Sequence, residues 1–124
     1  MEFSAFMRFF RQMISVLTYL HHRKGIAHHD LKGENIMLKT PFSGKQVDLL
    51  YAVWVVIDFG TAQEYDIIAI TNPKEAKFGG GTRKFSSPQK VKVIDRVKGA
   101  EPYDAFGADV FSMGLIFWQA SADL

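Results

Sequence analysis

The sequence predicts an α+β fold that is mainly α. Three features lead there. An amphipathic helix of about five turns opens the chain, the strand-like stretches after it are short, and an almost wholly apolar helical segment follows near residue 120. At 124 residues the chain suffices for one ordinary domain and not for two.

The first helix covers residues 3–23, with Phe3, Phe6, Phe10, Met13, Leu17 and Leu20 at three-four spacing and Met7 and Ile14 beside them. Arg23 and Lys24 suit the negative end of its dipole, and Gly25 accepts the left-handed turn that ends it. "NIMLK" reads as a short strand and "TPFSG" as a loop. Residues 51–57, "YAVWVVI", are β-branched and aromatic with no polar face, which predicts a buried strand. Residues 61–84 show no period and run into "GGGTRK", so a mobile segment with a glycine hinge is expected there. From about Ala108 to Ala120 the chain is apolar all round, which predicts a helix covered on every side, so that further protein must surround it.

Composition narrows the function. A hydrophobic content of 48% with 14% aromatics excludes a disordered tail. A net charge of +2 from scattered lysines gives no support to nucleic-acid binding. The absence of cysteine excludes disulfides, thiol catalysis and Cys-based zinc sites. Glu2, Arg8 and Arg11 break the N-terminal apolar run, so it is no signal peptide, and no run approaches the roughly 20 residues that span a bilayer. The expectation is a soluble, cytoplasmic or nuclear protein with no membrane or nucleic-acid partner.

Four landmarks then occur in one order: "HHDLKGEN" at residues 28–35, a strand ending in "DFG" at 58–60, "GTRKFSSPQ" at 81–89, and "ADVFSMG" at 108–114. Singly each has a bland reading: a solvated loop, a turn, a loop threonine, an Asp at a helix N-cap. In order, they resemble the protein kinase family, with its H-R-D-L-x-x-x-N loop, D-F-G and A-P-E. The resemblance implies a kinase-like fold and, within it, part of the large C-terminal lobe: long helix, catalytic loop, β-hairpin, activation segment and buried helix. Residues 1–124 would then be one incomplete catalytic domain.

The same resemblance implies a set of roles. Asp30 would accept the proton of a substrate hydroxyl, and Lys32 would neutralise charge on the transferring phosphoryl group. Asn35 and Asp58 would hold Mg²⁺ against the phosphates of ATP, and Met37 would lie beneath the adenine. Thr82 would dock the protein substrate beside Asp30 and Lys32, and Glu34 would face basic substrate residues. His28, Phe59, Gly60 and Asp109 would be structural supports, as would Ile116 and Ala120. Lys32 and Thr82 fit the serine/threonine type.

Departures from the pattern matter as well. His29 replaces the usual Arg, so control by a phosphate on the activation segment, with Thr71 as a weak candidate, is not expected. Gln89 replaces a Glu, which leaves that segment less firmly braced. Residues 39–51 exceed a short hairpin and read as a surface insertion. The 124 residues contain no G-x-G-x-x-G loop, and "GGGTRK" does not substitute for one. A chain of this kind is expected to be weak or inactive alone.

Two alternatives stand beside the kinase. One is a pseudokinase or regulatory fragment that works by binding. The other is a metal cluster of His21, His22, His28 and His29, disfavoured because helical neighbours point about 100° apart. The expected arrangement places His28 in the core and the other three near the surface.

Overall fold

Helix α1 (Phe3–Thr18) and a π-helical turn (Tyr19–Arg23) form the predicted N-terminal helix, and Gly25 leaves it at φ +64°. A computed structural model describes residues 1–65, 72–122 and 124. The buried stripe of the helix differs from the predicted one. It runs through Ala5, Phe9, Met13, Leu17 and Leu20, while Phe3 is exposed and Phe6 and Phe10 are half-buried. Four-residue spacing wins because Phe9 is wedged edge-on between Trp54 and Phe117, at ring-centroid distances of 5.3 and 5.9 Å.

The strands form two antiparallel pairs. β1 (Ile26–Ala27) pairs with β4 (Gln63–Glu64), and β2 (Ile36–Leu38) pairs with β3 (Trp54–Val56), Ile36 opposite Val56 and Leu38 opposite Trp54. Between β2 and β3 the expected insertion carries a short helix, α2 (Gln46–Leu49), whose Leu49 is buried. The expected buried strand at 51–57 is corrected: only three of its residues are strand, and all three are half-buried. A two-stranded hairpin lies against α1 on one side. Arg8 and Gln12 donate to Ala52 O at 2.6 and 2.8 Å, and Gln12 Oε1 accepts from Trp54 N at 2.8 Å.

The segment expected to be mobile, residues 61–84, contains a 3₁₀ turn at Pro73–Glu75 and runs into another at Arg83–Phe85, and α3 (Pro88–Ile94) follows it. Ser87 caps α3 by accepting from Lys90 N. Residues 66–71 of the segment expected to be mobile, with the candidate phosphosite Thr71, lie outside the described residues. The glycine hinge is also corrected. Gly81 has φ +117°, and a Cβ there would collide with the His29 carbonyl oxygen, so glycine serves close approach rather than freedom.

Helix α4 (Ala105–Ser121) starts at Ala105, capped by Asp104, which accepts from Phe106 N and Gly107 N at 3.0 and 3.1 Å. Asp109 is therefore no N-cap and lies inside the helix. Nor is α4 covered all round: Ala105, Ala108, Met113 and Ile116 are buried, while Val110, Phe111 and Trp118 are exposed. The main core joins Phe9, Met13 and Leu17 of α1 to Leu31, Phe85, Met113 and Ile116. Among the described residues no helix is long and apolar enough to cross a membrane.

Candidate active site

The site is assembled around a buried carboxylate. Asp109, 2% exposed inside α4, accepts from the backbone N–H of His28 at 2.8 Å and of His29 at 3.0 Å, and from His21 Nε2 at 2.9 Å. An aspartate in mid-helix is a poor helix former, and its burial is costly unless charge-assisted hydrogen bonds replace its water. Three such bonds do so here. They also explain why His21 is buried, with its ring stacked on Phe106 at 4.4 Å, contrary to the surface position expected for it.

The loop after β1 is set by its histidines. His28 is fully buried; its Nε2 donates to Ile57 O at 2.9 Å and its Nδ1 accepts from Asp30 N at 3.1 Å. His29 has φ +71°, a left-handed conformation that costs a non-glycine residue roughly 1–2 kcal/mol. The next residue, Asp30, is partly exposed.

Around Asp30 the structure brings together three of the predicted residues. Thr82 Oγ1 donates to Asp30 Oδ1 at 2.7 Å, and Lys32 Nζ donates to Thr82 Oγ1 at 2.9 Å while lying 3.9 Å from Asp30 Oδ2. A fourth joins them: Asn35, 5% exposed, donates through Nδ2 to Asp30 O at 2.7 Å. Among the described residues its amide oxygen has no hydrogen-bond donor. The arrangement offers a carboxylate, a neighbouring ammonium and a fixed hydroxyl, which suits proton acceptance beside a developing negative charge.

The remaining predicted residues are less gathered. Asp58 is exposed, has φ +61°, and accepts from Gly60 N at 3.2 Å; among the described residues no hydrogen bond links it to Asn35 or Asp30. Phe59 is 44% exposed with its ring 4.9 Å from that of His28. Met37 on β2 is 53% exposed, Glu34 is exposed without a side-chain partner among the described residues, and Gln89 is exposed on α3. Asp58 and Asn35 present only oxygen ligands, the set a hard cation such as Mg²⁺ takes, usually with water and phosphate completing its shell. Among the described residues no three His, Asp or Glu side chains cluster as a metal site.

A second cluster lies under the loop and was not legible in the sequence. His29, expected near the surface, is 4% exposed. Its Nε2 donates to Tyr65 Oη at 2.6 Å, and its Nδ1 accepts from Lys90 Nζ at 3.1 Å. Lys90, 2% exposed, also donates to His29 O at 2.8 Å. Tyr103 donates its hydroxyl to Phe78 O and lies edge-on to the His29 ring. Burial first, and the Lys90 charge second, hold the His29 imidazole down at about 4, so it is neutral at pH 7. Burial likewise lowers Lys90 to about 8, against the pull of Asp109 and Asp30, and raises Tyr65 to about 12. Nothing in "SSPQKVKVI" singles out Lys90 over Lys92 as the cation turned inward.

A family model described as "Protein kinase domain" matches residues 1–123. Among curated proteins the chain is similar to Activin receptor type-1B of Homo sapiens, 28% identical over 98 residues, which are 78% of this chain and 17% of that protein. It is similar to serine/threonine-protein kinase GIN4 of Saccharomyces cerevisiae, 32% identical over 111 residues, or 90% of this chain and 8% of that protein. It is also similar to serine/threonine/tyrosine-protein kinase HT1 of Arabidopsis thaliana, 30% identical over 108 residues, covering 87% of this chain and 22% of that protein. The chain thus spans between 8% and 22% of the length of these relatives. With its loop, "DFG" and Asp109 helix lying in one match over residues 1–123, the chain belongs to the protein kinase family.

Proposed function

We propose that residues 1–124 are part of the catalytic domain of a protein serine/threonine kinase and carry its phosphotransfer loop. One observation carries this reading: the Asp30, Thr82 and Lys32 side chains meet within 3 Å hydrogen bonds although about 50 residues separate Thr82 from the other two. A solvated loop has no physical need for such a set, because exposed polar groups are satisfied by water.

In this reading Asp30 takes the proton of a substrate serine or threonine hydroxyl, and Thr82 holds the carboxylate in line for it. Lys32 sits where negative charge develops. Asn35 and Asp58 supply the oxygens that would hold Mg²⁺, Met37 would lie beneath the adenine, and Glu34 would attract basic residues of the substrate. ATP would supply the phosphoryl group, and magnesium held by Asn35 and Asp58 would offset the charge on its phosphates. The exposed Val110, Phe111 and Trp118 of α4 support the view that more of the domain packs against these residues. For that reason we expect the isolated chain to be weak or inactive.

The test uses the full-length protein with ATP and Mg²⁺, offering peptides that differ only in Ser, Thr or Tyr as acceptor. Transfer to Ser and Thr peptides is expected, and Asp30→Asn is expected to lower kcat by roughly 10²–10⁴-fold. Transfer to Tyr peptides alone would overturn the specificity. Nucleotide binding with no transfer to any peptide would favour the regulatory, non-catalytic alternative.

A further inference from the structure

Among the described residues Lys90 is the one buried lysine or arginine, and the proposed chemistry does not use it. A lysine on a short helix such as α3 ordinarily faces water, since an ammonium loses its solvation on burial. Here it is 2% exposed and reaches inward to His29 O at 2.8 Å and His29 Nδ1 at 3.1 Å. The His29 carbonyl and ring nitrogen accept from it, the Asp109 and Asp30 carboxylates farther off favour its charge, and the hydroxyls of Tyr65 and Tyr103 lie on the same imidazole. The main chain at Gly81 closes over the contact, since a Cβ there would stand 3.0 Å from Lys90 Nζ.

The position of that contact matters more than its strength. His29 holds a left-handed backbone and directly precedes Asp30. Asp109 of α4 grips the N–H of His29, and Lys90 of α3 grips its C=O. The strained residue is thus held from both sides by two different helices, and the peptide bond leading into Asp30 is one of the two held. We propose that Lys90 is a positioning residue, a built-in cation that locks the His29–Asp30 peptide to α3 and so aims the Asp30 carboxylate with no added ligand or modification. This rests on the kinase reading for its consequence, though not for its structural content.

A corollary makes the idea testable by charge alone. Arg at position 29 and Lys at position 90 would place two cations in one buried space, so each is compatible only with the absence of the other. Four forms of the full-length protein decide it: wild type, Lys90→Met, His29→Arg, and His29→Arg with Lys90→Met. Lys90→Met is expected to lower kcat by roughly 10–100-fold with little change in KM for ATP, because misaim costs rate rather than binding. Amide exchange at residues 29–31 is expected to quicken in the same variant. His29→Arg is expected to lower Tm, and adding Lys90→Met to it is expected to restore Tm rather than lower it further.

Unchanged exchange in Lys90→Met, or a double variant no more stable than His29→Arg, would overturn the proposal. A wild type without phosphotransfer would instead remove the kinase reading, and the exchange and Tm comparisons would still judge the Lys90 lock.

Discussion

The loop of residues 28–35 and the tip formed by Asp58, Phe59 and Gly60 are one hydrogen bond apart, through His28 Nε2 and Ile57 O, yet they are held very differently. The loop is tied to α4 by Asp109, to α3 by Lys90, to the turn before α3 by Thr82, and within itself by Asn35. The tip has a 3.2 Å bond between Asp58 and Gly60 N and the edge contact of Phe59 with His28. Stability is not uniform within a fold, and regions with few buried contacts open first. The lesson is chemical: the group proposed to accept a proton is fixed in place together with Asn35, and Asp58, the other residue proposed to bind metal, is left adjustable.

The sharpest way to break that comparison is to remove its anchor. Asp109→Ala leaves the His28 and His29 amides and His21 Nε2 without an acceptor in a site where water has little access. Loss of a buried, multiply bonded charge costs about 3–5 kcal/mol, so the urea midpoint should fall by a large fraction of the total stability. Asp58→Ala, at an exposed site whose φ of +61° suits aspartate better than alanine, should cost about 1–2 kcal/mol. Similar losses for the two variants would mean that the loop is no better anchored than the tip.

What the sequence made legible divides along the same line. Periodicity revealed α1 and α4, because amphipathic and all-apolar helices leave a strong pattern even where the buried stripe is misplaced by one face. Motif order singled out Asp30, Lys32, Asn35 and Thr82, and the fold brings these four together. Long-range packing was illegible. That Phe9 rather than Phe10 is buried depends on Trp54 and Phe117, and the inward turn of Lys90 depends on a carbonyl 61 residues away. The burial of His21 and His29 was missed for the same reason: a histidine's partners decide its place, and those partners lie far along the chain. The length of β3 was overestimated because β propensity does not say how many faces a hairpin will cover.

Proton linkage gives a second, smaller test of the loop. The folded chain holds His29 at about 4 against an ordinary 6.5, through burial first and Lys90 second. Between those values the unfolded chain takes up a proton that the folded chain refuses, so stability falls as pH falls through the window. After allowance for solvent screening the loss is on the order of 2 kcal/mol by pH 4. Lys90, lowered by burial from 10.5 to about 8, acts at the other end. Between pH 8 and 10.5 the folded chain has released a proton that the unfolded chain keeps, so this group adds stability as pH rises. Imidazole titration by NMR checks the first claim; a His29 midpoint near 6.5 would remove it. Lys90→Met should raise that midpoint, since it deletes the second cause of the shift.

The smallest expected effect belongs to the tip. Phe59→Ala removes a ring that is 44% exposed and touches the His28 ring edge-on. A fully buried Phe→Ala change costs about 3–5 kcal/mol, because the transfer and cavity terms add. At Phe59 much of the ring already faces water and the space vacated is open, so the loss should stay near 1 kcal/mol, about the value of one aromatic edge contact with a little buried area. Chemical denaturation of the two variants, Phe59→Ala and Phe9→Ala, measures the contrast directly. Phe9 is 5% exposed and wedged between two rings, so it should cost several times more. Equal costs would mean that the "DFG" tip is packed as firmly as the core, and the division between a fixed proton acceptor and an adjustable metal ligand would fall with it.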